Sequence, residues 1–288
     1  MPRQLSVAIA FLVHSQLMMA LSAVAILYAS TRVLVAPLSG WWYLAAGLGT
    51  WTIYLLDSAR SRNAEDQRSQ PERAELFQRL PALRLLLPLL TATVGAMAVL
   101  LAEPTAGAIW LLLALGALGF AYVLPILPIA HGARATLKHF ALLKPITICI
   151  AWTLGAVLLP TLASMGEPSF NATLTLGLLL LALLLGDTLL LDLRDREGDL
   201  DAGIKTFAVK AGHSATHTAV ALCLAFSALL ILLGAPSALE PELWHRVSLA
   251  GVLGLTTAWL GWRVIRSNEA ATALGLMAWR FLAALAAL

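Results

Sequence analysis

Asp192, Asp195 and Asp199 are spaced three and four residues apart within GDTLLLDLRDREGDLDAGIKTFAVKAG, residues 186–212. On a helix, positions i, i+3 and i+7 share a face, so this spacing points three carboxylates the same way. Like charges packed so closely repel, and a bound divalent cation removes the penalty. Mg²⁺ suits such a set, because it is held through one or two carboxylates and keeps positions for water and substrate phosphates. Arg194, Arg196, Lys205 and Lys210 lie in the same stretch and are the cations a diphosphate needs nearby. The alternative for this stretch is a solvated, charged loop between two membrane helices.

The elements that would position these groups follow from composition. The chain has 288 residues, 60% of them hydrophobic and only 12% charged, where a soluble domain carries about a quarter charged residues. An all-α, polytopic membrane protein is expected, with residues 1–288 as one transmembrane domain. At about 20 apolar residues per crossing, the chain reads as nine spans, at roughly 5–30, 39–57, 82–102, 105–124, 142–162, 172–193, 214–234, 245–265 and 269–288. Unbroken Leu/Ala runs exclude a transmembrane β-barrel, whose segments are short and alternating. Cys149 and Cys223 each sit inside an apolar run and read as packing residues rather than a disulfide framework. Arg3 precedes an apolar run too long for a signal-peptide core, so the first span is expected to be retained.

Lys and Arg placement sets an expected orientation. The segments after the even-numbered spans hold Arg60, Arg62, Arg68, Arg73, Arg79, Arg134, Lys138, Arg194, Arg196, Lys205, Lys210 and Arg266. The opposite connections carry Glu103, Glu167, Glu240 and Glu242, with Arg32 and Arg246 as the basic exceptions. The positive-inside rule then places the N-terminus and the even exits in the cytoplasm, as in a bacterial inner membrane.

The second span ends on that side with Asp57, flanked by Arg60 and Arg62 and followed by Glu65 and Asp66. The connection to the third span is longer than most helix connections and reads as an ordered cap or lid, or else as a mixed-charge connector. Pro125 and Pro128 end the fourth span. Tyr122, Lys138 and Lys144 lie near the same boundary, where lysines can snorkel to headgroups or meet a diphosphate. His14 and Gln16, polar at membrane depth, serve either a helix–helix hydrogen bond or a cavity. Nine tryptophans include Trp41, Trp42, Trp51, Trp244, Trp259 and Trp262, several of which fall near span ends and read as interfacial belts.

Two acidic ends on one side, after the second and sixth spans, would meet if the helices pack as a ring. At this point the chain resembles the UbiA superfamily of intramembrane prenyltransferases. Asp192, Asp195, Gly198 and Asp199, followed by Gly203 and Thr206, look like that family's D-x-x-D-x-x-G-D-x-x-x-G-x-x-[ST] pattern. The Tyr122–Pro125 turn, Lys144 and the run from Trp152 to Pro160 look like its fourth and fifth helices. The first motif departs: where the family shows N-D-x-x-D-x-x-x-D, these places read Ile53, Tyr54, Asp57 and Ser61, so only Asp57 survives. Either Glu65 or Asp66 supplies a missing ligand, or fewer carboxylates hold the first metal, or transferase activity has been lost.

The resemblance implies nine helices around a central cavity, with a cytoplasmic cap. It implies a prenyl diphosphate bridged by Mg²⁺ between the two acidic sites. Asp57, Asp195 and Asp199 would hold metal, with Asp192 and Asp66 as further ligands; Arg60, Arg194, Lys138, Lys144, Lys205 and Tyr122 would contact the diphosphate. Catalysis would rest on Asp57, Asp192, Asp195 and Asp199. Ionisation would leave an allylic cation in a water-poor cavity, attacked by a hydrophobic acceptor such as an aromatic acid, a quinone precursor, a tetrapyrrole or a lipid. The lipid bilayer is the remaining expected partner, and no nucleic-acid contact is expected. A terpene cyclase of the same superfamily would use the same ionisation with an internal alkene. A transporter would place its ionisable groups near the midplane.

Overall fold

The computed structural model describes residues 14–60, 71, 75, 77–78, 82–128, 134–137, 140, 143–164, 168–201, 203–233, 240–262 and 269–288. Among them are nine α-helices: α1 (Leu17–Val33), α2 (Gly40–Arg60), α3 (Ala82–Leu101), α4 (Ala106–Val123), α5 (Leu143–Ala163), α6 (Phe170–Asp201), α7 (Phe207–Leu232), α8 (Pro241–Leu260) and α9 (Glu269–Ala286). The α4–α5 connection adds a departure from an all-helical chain, a two-residue antiparallel pairing of Leu127–Pro128 with Arg134–Ala135. Five helices, α3 to α7, are long and apolar enough to cross a membrane; α1 and the Leu274–Ala286 part of α9 are shorter apolar helices. In lipid a spanning segment must satisfy its own backbone, which is why the apolar runs become helices.

Consecutive helices pack side by side along most of the chain, and α9 returns to α1. Arg32, a basic exception on its side of the sequence, spans that return: its Nε donates to the Ala287 carbonyl at 3.2 Å, just past the end of α9. Inside the ring, α1 packs on α5 and α8, and α6 packs on α8 and α9. The core is thus an apolar cluster centred on α6, including Leu176, Leu183, Leu184 and Leu190, with α1, α5, α7, α8 and α9 around it. The third helix packs chiefly on α2, where the Thr52 and Thr91 hydroxyls meet at 2.8 Å. Pro88 removes one backbone donor within α3, and Thr91 closes the same turn by donating to the carbonyls of Leu87 and Pro88.

Helix α6 positions the acidic residues. Its 32 residues span about 48 Å at 1.5 Å per residue, well beyond a hydrocarbon core of about 30 Å. The sequence expectation ended this span at residue 193, where apolar character stops. The helix instead continues to Asp201, because its charged residues are good enough helix formers and Asp192, Arg194, Asp195 and Asp199 are paired. It ends at Gly203, whose φ of 69° suits glycine, with Gly203 N–H bonded to Leu200 O at 3.2 Å and Ile204 N–H to Asp199 O at 2.8 Å. Thr206 then caps α7 by accepting from Val209 N–H at 3.4 Å. The helix begins earlier than the expected residue 214 and bends at Gly212, whose φ is 80°.

The tryptophans divide differently from the expected belts. Trp41 is exposed, but Trp42, Trp244 and Trp262 are buried in the packing between helices. Proximity to a span end fixes depth and says nothing of which side of the helix faces inward. The Trp259 indole donates to His217 Nδ1 at 3.0 Å, joining α8 to α7. His14 and Gln16 are both buried at the start of α1, where Gln16 has φ of 64°.

Candidate active site

Lys144 organises the carboxylates. It lies in the first turn of α5, beside Pro145, whose fixed φ suits that turn. Its Nζ is 3.1 Å from Asp192 Oδ1 and 3.6 Å from Asp199 Oδ2, with the three side chains 10%, 1% and 0% exposed. Two turns of α6 therefore converge on a single point of positive charge. A buried carboxylate without a partner is costly, so this ammonium is what permits two of them side by side. Asp195, between them in sequence, takes a different partner: Arg194 grips it through Nε at 2.7 Å and Nη2 at 2.8 Å. The three aspartates share a side of α6, as their spacing predicts, but they divide between two cations.

Asp57 is half-buried on the last turn of α2. Tyr122, at the end of α4, is close enough for electrostatic interaction with Lys144, Asp57, Tyr54 and Asp192. The ends of α2, α4, α5 and α6 thus face one region, within which Asp57, Lys144 and Asp192 act electrostatically on Tyr122. Lys205 is exposed in the turn after α6, and Arg196 holds that turn by donating to Ala208 O at 3.2 Å. Arg60 closes α2, and nothing is described of its side chain; Asp66, Glu65 and Lys138 lie outside the described residues, as does most of the expected cap.

Among the described residues no group of three His, Cys, Asp or Glu side chains is arranged to hold a metal ion alone. Two carboxylates already converge on one cation, however, and Mg²⁺ is usually held by one or two carboxylates with phosphate oxygens and water completing the shell. The all-oxygen donor set of Asp192 and Asp199 therefore fits Mg²⁺.

Sequence reasoning missed a second charged cluster deeper in the bundle. Asp187 on α6 and Arg280 on α9 form a hydrogen-bonded ion pair, their side chains 0% and 3% exposed. Trp279 Nε1 donates to the same Asp187 oxygen at 3.3 Å. The Arg280 guanidinium lies 4.4 Å from the centre of the Trp152 ring, and Trp152 meets Tyr54 edge-on at 6.5 Å. The available signal was an acid and a base inside otherwise apolar spans, since such residues face the bundle interior and find each other.

This arrangement of helices has counterparts among solved structures. A UbiA homolog from Archaeoglobus fulgidus bound to GPP and Mg²⁺ superposes with a TM-score of 0.62 at 13% identity, over 96% of this chain and 99% of that one. The UbiA homolog from the same organism bound to DMAPP and Mg²⁺ gives 0.59 at 12% identity, over 94% and 98%. The chain has the UbiA fold. No family model and no curated protein matches the sequence. The likeness to the UbiA homologs is thus carried by helix arrangement, along nearly the full length of both chains.

Proposed function

We propose that the protein is an intramembrane prenyltransferase that ionises a prenyl diphosphate and passes the prenyl group to a hydrophobic acceptor. The observation that carries this reading is the convergence of Asp192 and Asp199 on one cation position, at the end of α6. The fold adds support, because its solved neighbours are UbiA homologs bound to a prenyl diphosphate and Mg²⁺.

In this mechanism Asp192 and Asp199, with Asp57 from α2, would hold Mg²⁺, and Asp195 and Asp66 are further candidate ligands. When bound, the metal neutralises charge developing on the leaving diphosphate. Lys144 is placed to hold a phosphate oxygen beside the carboxylates, because its ammonium rides on a flexible stem. The Arg194 guanidinium grips Asp195 through two of its donors and so steadies that carboxylate at the mouth, where its charge would also favour a diphosphate. Tyr122 stands at the same mouth, and Arg60, Lys138 and Lys205 supply further positive charge. The apolar interior below excludes water, which would otherwise quench the allylic cation. The mouth opens to the cytoplasm in this reading, with nine crossings and the segment after α2 as the cap.

The test is pyrophosphate release by purified protein from dimethylallyl and geranyl diphosphate, with Mg²⁺ or EDTA, followed by product extraction. Metal-dependent release to prenyl alcohol, accelerated by an acceptor, is expected. A cyclic hydrocarbon formed without acceptor would replace transfer by cyclisation, and no release with any substrate would overturn both.

A further inference from the structure

Lys144 occupies the position between two carboxylates that best suits a metal. Its Nζ lies 3.1 Å from Asp192 Oδ1 and 3.6 Å from Asp199 Oδ2, and all three side chains are buried. A tethered ammonium and a divalent ion compete for such a pair, because both depend on the same oxygens. Helix α2 gives the ion little help in that competition. Ile53 packs toward α4, where a Cβ on Gly119 would come within 2.8 Å of Ile53 Cδ1. Tyr54 sets its ring edge-on to Trp152. Asp57 is the one acid in the sequence of α2, half-buried on its last turn.

For an ion to enter between Asp192 and Asp199, the Lys144 ammonium must leave both. Its surroundings offer it poor alternatives. Asp195 is gripped by Arg194 through two hydrogen bonds, and Tyr122 offers a phenol. Asp57 is the remaining carboxylate acting on the same region. A buried ammonium withdrawn without a new partner is costly. A diphosphate removes that cost, because it brings several anionic oxygens to the mouth. The flexible four-carbon stem of lysine then lets the ammonium pass from carboxylate to phosphate.

The geometry points to Lys144 as a gate on the metal site, opened by the diphosphate. In the free protein its ammonium holds Asp192 and Asp199 together and keeps a divalent ion out. On arrival of a prenyl diphosphate, Lys144 moves to a phosphate oxygen and the two carboxylates become available to the ion. Ion and diphosphate therefore bind as a coupled pair, each raising the affinity for the other by the same factor. This assignment rests on the transferase reading, of which it specifies the order of binding.

The experiment is a Mn²⁺ titration of the full chain in detergent, the free ion being read by its EPR signal. It is run with and without geranyl thiolodiphosphate, whose bridging sulfur resists ionisation, and matched titrations without protein are subtracted. The parent is expected to bind Mn²⁺ at least about tenfold more tightly with the analogue present. Lys144→Met is expected to bind Mn²⁺ without analogue at least about tenfold more tightly than the parent, and to gain less from the analogue. Equal affinity of parent and variant without analogue overturns the gate. Mn²⁺ binding by the parent that is indifferent to the analogue also overturns it, and that result holds even if Lys144→Met fails to fold. Pyrophosphate release from geranyl diphosphate by the parent with Mg²⁺ is read in parallel. Release with analogue-indifferent Mn²⁺ binding overturns the gate alone. Analogue-dependent Mn²⁺ binding without release overturns transfer and keeps the gate, and absence of both overturns both.

Discussion

Asp192 and Asp199 share one ammonium, and that sharing makes Lys144 the most informative single residue. Lys144→Met keeps the length of the side chain and removes its charge, leaving two buried carboxylates facing one another. Breaking a buried ion pair from one side costs about 3–5 kcal/mol, so the variant should unfold at a lower temperature in EDTA. Mg²⁺ should then restore stability more in the variant than in the parent, because it takes the place the ammonium vacates. Thermal unfolding with and without Mg²⁺ checks this; equal Mg²⁺ effects in both proteins would mean that the metal does not enter between the carboxylates. Asp199→Asn removes one proposed ligand and should lower Mg²⁺-dependent pyrophosphate release by about 10²–10³-fold, the usual cost of losing one group that stabilises developing charge. Retained release would remove Asp199 from the ligand set, with Asp195 next in line. At this scale the sequence was informative where charge clustered and silent where it was isolated. The Asp192/Asp195/Asp199 spacing announced a shared face, but not the division between Lys144 and Arg194, which depends on how α5 docks. Asp187 and Arg280 are 93 residues apart, and no local pattern links them.

Two glycines show how the elements fix the site. Gly203 ends α6 in a left-handed conformation, with open space where a Cβ would stand. Gly203→Ala therefore meets no clash, and its cost is backbone strain of about 1–2 kcal/mol. Gly203→Asn should cost less, since asparagine tolerates that region better. Chemical denaturation of the three proteins gives the order; equal stabilities would mean that the turn does not constrain α6. Gly254 acts through close packing instead. A Cβ there would come within 2.7 Å of Trp279 Cβ and 2.8 Å of Trp279 Cα, so α8 and α9 touch nearly backbone to backbone. Gly254→Ala must push α9 away, carrying Trp279 and Arg280 from Asp187. It should lower the unfolding temperature while leaving the Lys144 cluster, formed by α5 and α6, in place. The spans themselves were legible to within a few residues wherever apolar character began and ended together with the helix, as in α3, α4 and α5. They were misjudged at α6, where the helix outruns the apolar run because a charged sequence remains helical once its charges are paired. The left-handed Gly203 was part of the acidic pattern in sequence; its work as a helix stop became visible only with the turn.

The distribution of charge over the whole molecule gives its chemistry a direction. Asp57, Asp192, Asp195 and Asp199 gather with Lys144 and Arg194 at one end of the bundle, and Lys205 lies exposed in the turn just past them. Glu240, exposed at the start of α8, lies one crossing away along α7 and so at the opposite end. The basic residues of the sequence fall mainly on the Lys205 side. On the proposed function, a chain inserted by the positive-inside rule would receive its diphosphate from the cytoplasm, where a charged, water-soluble head and Mg²⁺ are both at hand, and the apolar interior would take the prenyl tail. Single cysteines at these two positions test the direction, in a background with Cys149→Ala and Cys223→Ala. Lys205→Cys should react with a membrane-impermeant maleimide only in inside-out vesicles, and Glu240→Cys only in right-side-out vesicles. The reverse pattern would turn the site away from the cytoplasm. Labelling of both positions from one side would remove α7 as a crossing, and with it the alternation that brings the end of α2 and the end of α6 to the same face.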